Sequence, residues 1–310
     1  MRKIVISSLL TASLLVSLTA CKESEEYKLK AVAPQGAPAV ALANLAVSDK
    51  DSFAFINADN ISEEFTNESY DIVIAPINAG AANYKNGKSK YKIGAVVTWC
   101  NLYFATNRND INDINDLDGK DVTLFGEKTI NSSLAKYVLT NNNVTPNYNY
   151  VSSASVSNQK LIDEDNVIVM TAEPALTVAK AKAKDKTIKT FSIYDMYKTI
   201  SGGVEYTQAA LFIKEDTINN HKKELDSFLD KVKEACDLVS TDVETTANNI
   251  IELGNTGLPG QLPVLKNALP NCKVKYVSAI ESKTAIEATV SIDPSKFGGA
   301  VPSDDFYYSK

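Results

Sequence analysis

Histidine occurs once in the 310 residues, arginine twice and tryptophan once. The lone histidine, His221, lies in the polar run Asn219-Asn220-His221-Lys222-Lys223 and reads as a solvated helix start. A Ser/His/Asp or Cys/His centre needs an imidazole to move the proton, so hydrolytic chemistry of that kind is excluded. A Cys/His zinc site is excluded as well, because no CxxC spacing accompanies the single histidine. The glycine-rich nucleotide fingerprints are missing, and Gly202-Gly203 is an isolated pair. Basic residues number 32 against 38 acidic ones, a net charge of −6, which makes a poor general binder of nucleic acid. The expectation is a protein that is not an enzyme and holds no cofactor or metal.

What is present begins at the N-terminus. Arg2 and Lys3 precede an apolar or small-residue run, Ile4 to Leu18, that has the length of a signal segment and is short for a membrane span. The run ends in Leu18-Thr19-Ala20-Cys21, which reads as a lipobox with Cys21 as the lipid-modified residue. Residues 1–20 are therefore expected to be removed. That loss takes Arg2 and Lys3 and no acid, leaving a net charge of −8. Residues 21–27 read as a charged tether. No second run of about 18 apolar residues follows.

With Cys21 assigned to lipid, three cysteines remain, an odd number for an oxidising compartment. Cys100 ends the apolar run Val96-Val97-Thr98-Trp99 and suits a buried thiol, whereas Cys236 and Cys272 both fall in the C-terminal helical part. A disulfide between Cys236 and Cys272 is the expectation.

The body alternates strand, turn and helix. Leu29–Ala33, Ser52–Ile56 and Tyr70–Pro76 read as strands, and Tyr91–Thr106 as one extended stretch. The rhythm restarts near Asp113, with strands at 121–125, 148–151, 167–171, 188–193 and 206–214. Such alternation is the signature of a parallel sheet covered by helices. Leu225, Phe228, Leu229, Val232, Cys236 and Val239 recur at helical spacing, so one face of that helix is apolar. Thr241-Asp242-Val243-Glu244 reads as a capping box, and Gly254 as a helix terminator.

Ligands of α/β proteins bind at the carboxyl ends of the strands, where turns lead into helices. Four such turns are neutral and small: Pro34–Pro38, Pro76–Gly80, Gly126–Asn131 and Thr171–Pro174. They nominate Gln35, Gly36, Ala37, Pro76, Asn78, Ala79, Glu127, Lys128, Thr129, Thr171 and Glu173 as ligand-binding residues. Aromatic residues near them in sequence, Tyr84, Trp99, Tyr103, Phe125 and Tyr206, could stack on a flat ring. Trp99 and Tyr206 complete the candidate set. Arg108, the one arginine beyond residue 20, sits in an exposed turn, which disfavours an arginine-clamped carboxylate. The expected ligand is small, neutral or weakly anionic: an aromatic heterocycle or, alternatively, an oxyanion such as a sulfonate held by helix N-termini.

Gly36-Ala37-Pro38-Ala39-Val40-Ala41-Leu42-Ala43, Asp71-Ile72-Val73-Ile74-Ala75-Pro76 and Leu102-Tyr103-Phe104-Ala105-Thr106 occur in this order. Asp116-Leu117-Asp118-Gly119-Lys120, Met170-Thr171-Ala172-Glu173-Pro174-Ala175 and Pro302-Ser303-Asp304-Asp305-Phe306-Tyr307-Tyr308 follow. In these segments the chain resembles the nitrate, sulfonate, taurine and thiamine-precursor group of ABC-transporter substrate-binding lipoproteins. The resemblance implies an α/β fold of the type II periplasmic-binding-protein class, two lobes with central mixed sheets flanked by helices. It implies crossing strands at about Cys100–Asn107 and Tyr206–Lys214. Lobe I would be 28–105 with 206–310, and lobe II 106–205. It also implies a small-molecule ligand, ABC permease subunits as partners, and a monomer tied to the outer face of the cytoplasmic membrane through lipid alone. A ligand-binding surface sensor or adhesin without a transporter is the alternative. An enzyme on the same fold would need a metal-ligating histidine cluster that one histidine cannot supply.

The lipobox carries a prediction. Cells given a fatty-acid probe should label the wild-type chain and leave a Cys21→Ala variant unlabelled; equal labelling of the two would refute the assignment.

Overall fold

The structure, a computed structural model, describes residues 27–183 and 185–310. Cys21, the signal segment and most of the tether lie outside the described residues. The strands are β1 (Ala31–Pro34), β2 (Phe53–Ile56), β3 (Ile72–Pro76), β4 (Lys92–Trp99), β5 (Leu102–Thr106), β6 (Asp121–Phe125), β7 (Asn147–Val151), β8 (Ile168–Ala172), β9 (Lys189–Ser192), β10 (Thr207–Ile213) and β11 (Val274–Ser278). They form two mixed sheets, ordered β11-β4-β10-β3-β1-β2 and β7-β6-β8-β5-β9. Helices cover both sheets, giving the α/β architecture that the strand–helix rhythm implied.

The first sheet is buried on both faces, which explains its near-continuous apolar strands. Ala31, Ala33, Ile72, Ile74, Ala95 and Val97 face helices Ala37–Ala46 and Lys222–Thr241. Val32, Val73, Ala75, Ile93 and Val96 face the other way, toward helices Ile77–Lys85 and Ala279–Ile292. This second core continues through Trp99, Cys100, Leu102 and Tyr206 into the second sheet at Phe104, Val122 and Leu124. The six residues expected on the apolar face of the long helix, Leu225 to Val239, are all buried. Gly254 ends its helix in the left-handed conformation.

The extended stretch 91–106 is two strands in different sheets. Leu102 pairs with Ala172 and Tyr103 with Ser192, both in the second sheet. The sequence division gave residues 102–105 to the first lobe, so the exchange of sheets comes earlier, at Cys100-Asn101. Cys100 has φ +41, which breaks the strand there. Likewise β10 does not cross: it lies inside the first sheet between β3 and β4. The return crossing is the segment 201–206.

Other expectations need correction. Asn78-Ala79-Gly80 is not a turn; it lies in the first turns of helix Ile77–Lys85. The cap of helix Val243–Leu253 is Asp242, whose side chain accepts from Thr245 N–H, rather than Thr241. The C-terminal segment 293–310 is part of the core. Phe297 and Phe306 are fully buried, and Tyr308 N–H donates to Ile93 O. The disulfide is absent: Cys100, Cys236 and Cys272 are free and buried. Cys236 points from its helix at Ala41 O, while Cys272 ends a tight turn and donates to Ala268 O at 3.4 Å. Burial pushes both thiols well above the ordinary range, which keeps them unreactive.

Gly80 yields a test in which two effects oppose each other. Helix propensity favours alanine by about 1 kcal/mol. A Cβ at Gly80, however, would lie 2.2 Å from Phe212 Cζ. Overpacking of this kind costs about 1–3 kcal/mol. Gly80→Ala should therefore lower the urea midpoint, and a raised midpoint would show that the ring moves aside freely.

Candidate functional site

β1, β3 and β4 run in one direction, since β3 pairs parallel with β1 and both β3 and β4 pair antiparallel with β10. Their carboxyl ends are Pro34, Pro76 and Trp99. In the second sheet β6, β7 and β8 are parallel, ending at Phe125, Val151 and Ala172. The two sets of ends face each other. Glu173, just past β8, donates its N–H to Asn101 O at 3.1 Å, and Asn101 follows β4. Lys296 Nζ, from the first-sheet side, reaches Glu127 O just past β6 at 3.5 Å. All four sequence-derived turns therefore lie at the facing ends of the two sheets.

Their donors differ in availability. At the first turn, Gln35 N–H donates to Ile56 O and Gly36 N–H to Thr256 O, both at 2.9 Å. Gln35 Nε2 donates to Asn255 O. Those donors are occupied by the chain itself, and Ala37 is buried at the helix start. At the fourth turn, the Glu173 carboxylate accepts from Thr177 N–H and Thr177 Oγ1, each at 3.0 Å, and so caps its own helix, Ala175–Lys182. Burial raises the Glu173 pKa above the ordinary glutamate range. Thr171 is buried and donates to Asn158 Oδ1. The other two turns are open. Helix Ile77–Lys85 starts behind Pro76 with no side-chain cap, and half-buried Asn78 and Ala79 lie in its first turn. Helix Ile130–Asn141 starts behind Thr129, again with no side-chain cap, because Thr129 Oγ1 donates to Gly126 O instead. Glu127 and Lys128 are exposed beside it. Helix Ala37–Ala46 also lacks a side-chain cap, but the Gln35 and Gly36 N–H groups of its turn are bonded within the chain. The starts at Ile77 and Ile130, one from each sheet, are the uncapped ones with open turns.

The aromatic candidates are engaged by the protein. Tyr206 is fully buried and meets Tyr197 edge-on at 5.4 Å between ring centroids. Its hydroxyl accepts from Leu102 N–H at 3.2 Å. Trp99 is buried, with Lys275 Nζ 4.7 Å from its ring centroid and its own Nε1–H donating to Lys275 O. It lines a cavity of about 190 Å³ with Glu205, Lys275, Leu269 and Pro270. A wider hollow of about 550 Å³, between Asn141-Asn142 and Asp195–Ile200, touches no sequence-derived site residue. Tyr84 packs on Phe306 and donates to Asp305.

Asn101 and Gln208 were not anticipated. Asn101 N–H donates to Gln208 Oε1, and its Nδ2 donates to Glu173 O and Cys272 O, so one residue of the crossing is bonded to both sheets. Cys100 Sγ donates to Tyr206 O, and its pKa is pushed up to about 12, chiefly by burial. The available signal was a polar pair, Cys100-Asn101, inside an otherwise apolar run. Asn78 Oδ1 and Asn101 Oδ1 are buried with no partner among the described residues.

Tyr206→Phe leaves the buried Leu102 N–H without its acceptor. The loss should be about 1–3 kcal/mol in urea unfolding. An unchanged midpoint would mean that the hydroxyl does not hold the crossing.

Among solved structures, an ABC transporter protein from Parabacteroides distasonis superposes with a TM-score of 0.76 at 20% identity, over 91% of this chain and 99% of its own. The ligand-binding component of an ABC-type import system from Staphylococcus aureus gives 0.67 at 13%, over 91% and 97%. The periplasmic aliphatic sulphonate binding protein of Escherichia coli gives 0.66 at 12%, over 92% and 93%. These likenesses show the periplasmic-binding-protein fold. No curated protein matches the chain. The family model described as NMT1/THI5 like matches residues 57–244, and the chain belongs to that family.

Proposed function

We propose that this protein is an extracytoplasmic solute receptor that captures a small molecule between its two sheets and delivers it to an ABC permease. Family membership and the two-sheet fold support the class of function. The observation that carries the ligand class is the pair of uncapped helix starts, Ile77–Lys85 and Ile130–Asn141, contributed by facing sheets. Free N–H groups and the helix dipole favour an anionic or strongly accepting group at such ends. Of the rings that might have held a flat heterocycle, Tyr84, Trp99 and Tyr206 have a face or edge occupied by protein. An oxyanion such as a small sulfonate is therefore the preferred ligand. Binding rather than catalysis is the reading, since His221 stacks on Tyr27 at 3.5 Å and lies within hydrogen-bonded helix starts. The lipobox reading supplies the location, with Cys21 anchoring a monomer to the outer face of the cytoplasmic membrane.

An alkanesulfonate and a pyrimidine, compared by thermal shift, separate the two ligand classes. At a hundredfold excess over Kd a ligand adds about 2.7 kcal/mol of stability. The sulfonate should raise the melting temperature and the pyrimidine should not. Asn78→Asp places a carboxylate in a first helical turn, which the helix itself tolerates or favours by about 0.3–1 kcal/mol. The buried, unpartnered oxygen should lower the melting temperature somewhat while unfolding stays cooperative, and the sulfonate-induced shift should be lost. Stabilisation by the pyrimidine alone would overturn the oxyanion reading.

A further inference from the structure

The two sheets are also joined away from the crossings, beside the helix start at Ile130. Ser133, in the second turn of helix Ile130–Asn141, donates its hydroxyl to Asp293 Oδ2 at 2.6 Å. Three residues on, Lys296 Nζ donates to Glu127 O, the carbonyl just before that helix. The partners are separated by 160 and 169 residues in sequence. β6 lies two strands from β5. At the usual spacing between strands β6 is about 10 Å from β5, so the helix it leads into is set off from the crossing.

The Asp293 side of the contact is firmly held. Asp293 ends helix Ala279–Ile292 and begins the tight turn Pro294–Phe297. Phe297 is fully buried in the core, and the turn packs on helix Ile77–Lys85. Gly299 N–H closes it by donating to Pro294 O. The Asp293 carboxylate is satisfied on both oxygens, since Ser295 Oγ donates to Oδ1 at 2.5 Å. Burial pushes its pKa up, but the hydrogen bonds from Ser133 and Ser295 and the nearby Lys296 ammonium outweigh it and hold the pKa below the ordinary range. The anion faces the positive start of helix Ile130–Asn141, and the ammonium faces a carbonyl, so both charges are well placed. These contacts can form only when the two facing sets of strand ends are close together.

We propose that Asp293 and Lys296, with Ser133 and the Glu127 carbonyl, form a clasp between the lobes that biases the protein toward its closed form and so sets ligand affinity without touching the ligand. The consequence for affinity rests on the receptor reading; the clasp itself does not. Asp293 and Lys296 are positioning residues. They act on the spacing between the helix starts, and a receptor whose closed form is more populated binds more tightly in proportion to that population. Loss of one charge-assisted hydrogen bond should shift the open–closed ratio by about tenfold.

Small-angle scattering of the purified protein, with no ligand added, tests the clasp. Wild type should have the smaller radius of gyration, and Asp293→Ala and Ser133→Ala should each increase it. The double variant should expand no further than the singles, because both remove the same bond. Asp293→Asn, which keeps an acceptor oxygen, should recover part of the compact form. Cooperative thermal unfolding of every variant separates opening from loss of fold. If Asp293→Ala fails to fold, Ser133→Ala alone carries the measurement, since it removes the bond from the opposite lobe. Unchanged radii in the folded variants would overturn the proposal, as would a double variant that expands by the sum of the singles. No ligand enters this test, so a negative sulfonate titration leaves its outcome intact.

Discussion

Everything in this structure hangs on the interruption of one apolar run at Cys100-Asn101. A strand that continued from Tyr91 to Thr106 would serve one sheet only. The backbone leaves the first ladder after Trp99 and joins the second at Leu102. Between them its polar groups need partners, because buried N–H and C=O groups are rarely left unpaired. Tyr206 on the return crossing and Gln208 at the start of β10 supply two of them, and Glu173 supplies a third. The two crossings are consequently one bonded unit. Cys100 takes φ +41 to make the break, a left-handed conformation whose cost is on the order of 1–3 kcal/mol for a residue other than glycine. The apolar core that runs uninterrupted past Tyr206 offsets it.

That unit fixes which strand ends oppose each other, and thus which helix starts share a space. The distribution of caps then acquires meaning. Helices Ala154–Asp163, Ile193–Ile200 and Ala279–Ile292 begin with a serine that caps them. Helix Ala175–Lys182 is capped from Glu173, one turn back. The starts at Ile77 and Ile130 have no such side chain, and neither has the start at Ala37, where the flanking Gln35 and Gly36 N–H groups are bonded within the chain. A capping side chain is worth about 1 kcal/mol to a helix. Its absence at two facing ends leaves donors for a bound acceptor, and the same absence scattered over the surface would mean nothing.

The aromatic residues show how tertiary packing redirects side chains that look available in sequence. Trp99, Tyr206 and Tyr84 lie close in the chain to the turns that face the second sheet. Their ring surfaces are nevertheless used in holding the crossings and the tail. Lys275 lies over Trp99 and pairs with Glu205 on the return crossing, so this cation–π contact joins an edge strand to the crossing. Tyr206 gives its hydroxyl to the backbone of β5 and its ring to Tyr197. Rings in such places stabilise the framework that a ligand would use.

The sequence by itself determined the strand–helix alternation, because period and burial follow from side-chain pattern alone. Tyr70–Pro76 had to be a buried strand, and Leu225 to Val239 had to be one helix face. The four turns could also be read, since small residues between a strand and a helix mark strand ends whatever the partner. Other features depended on residues far apart in the chain. Gly36 N–H is occupied only because Thr256 folds over it. The Cys236 and Cys272 thiols stay apart because one faces Ala41 and the other its own turn. The exchange of sheets at Cys100-Asn101 became visible only with Tyr206, more than 100 residues on, in place to bond it. Local pattern sets which groups a segment offers; only the assembled fold decides which of them remain free.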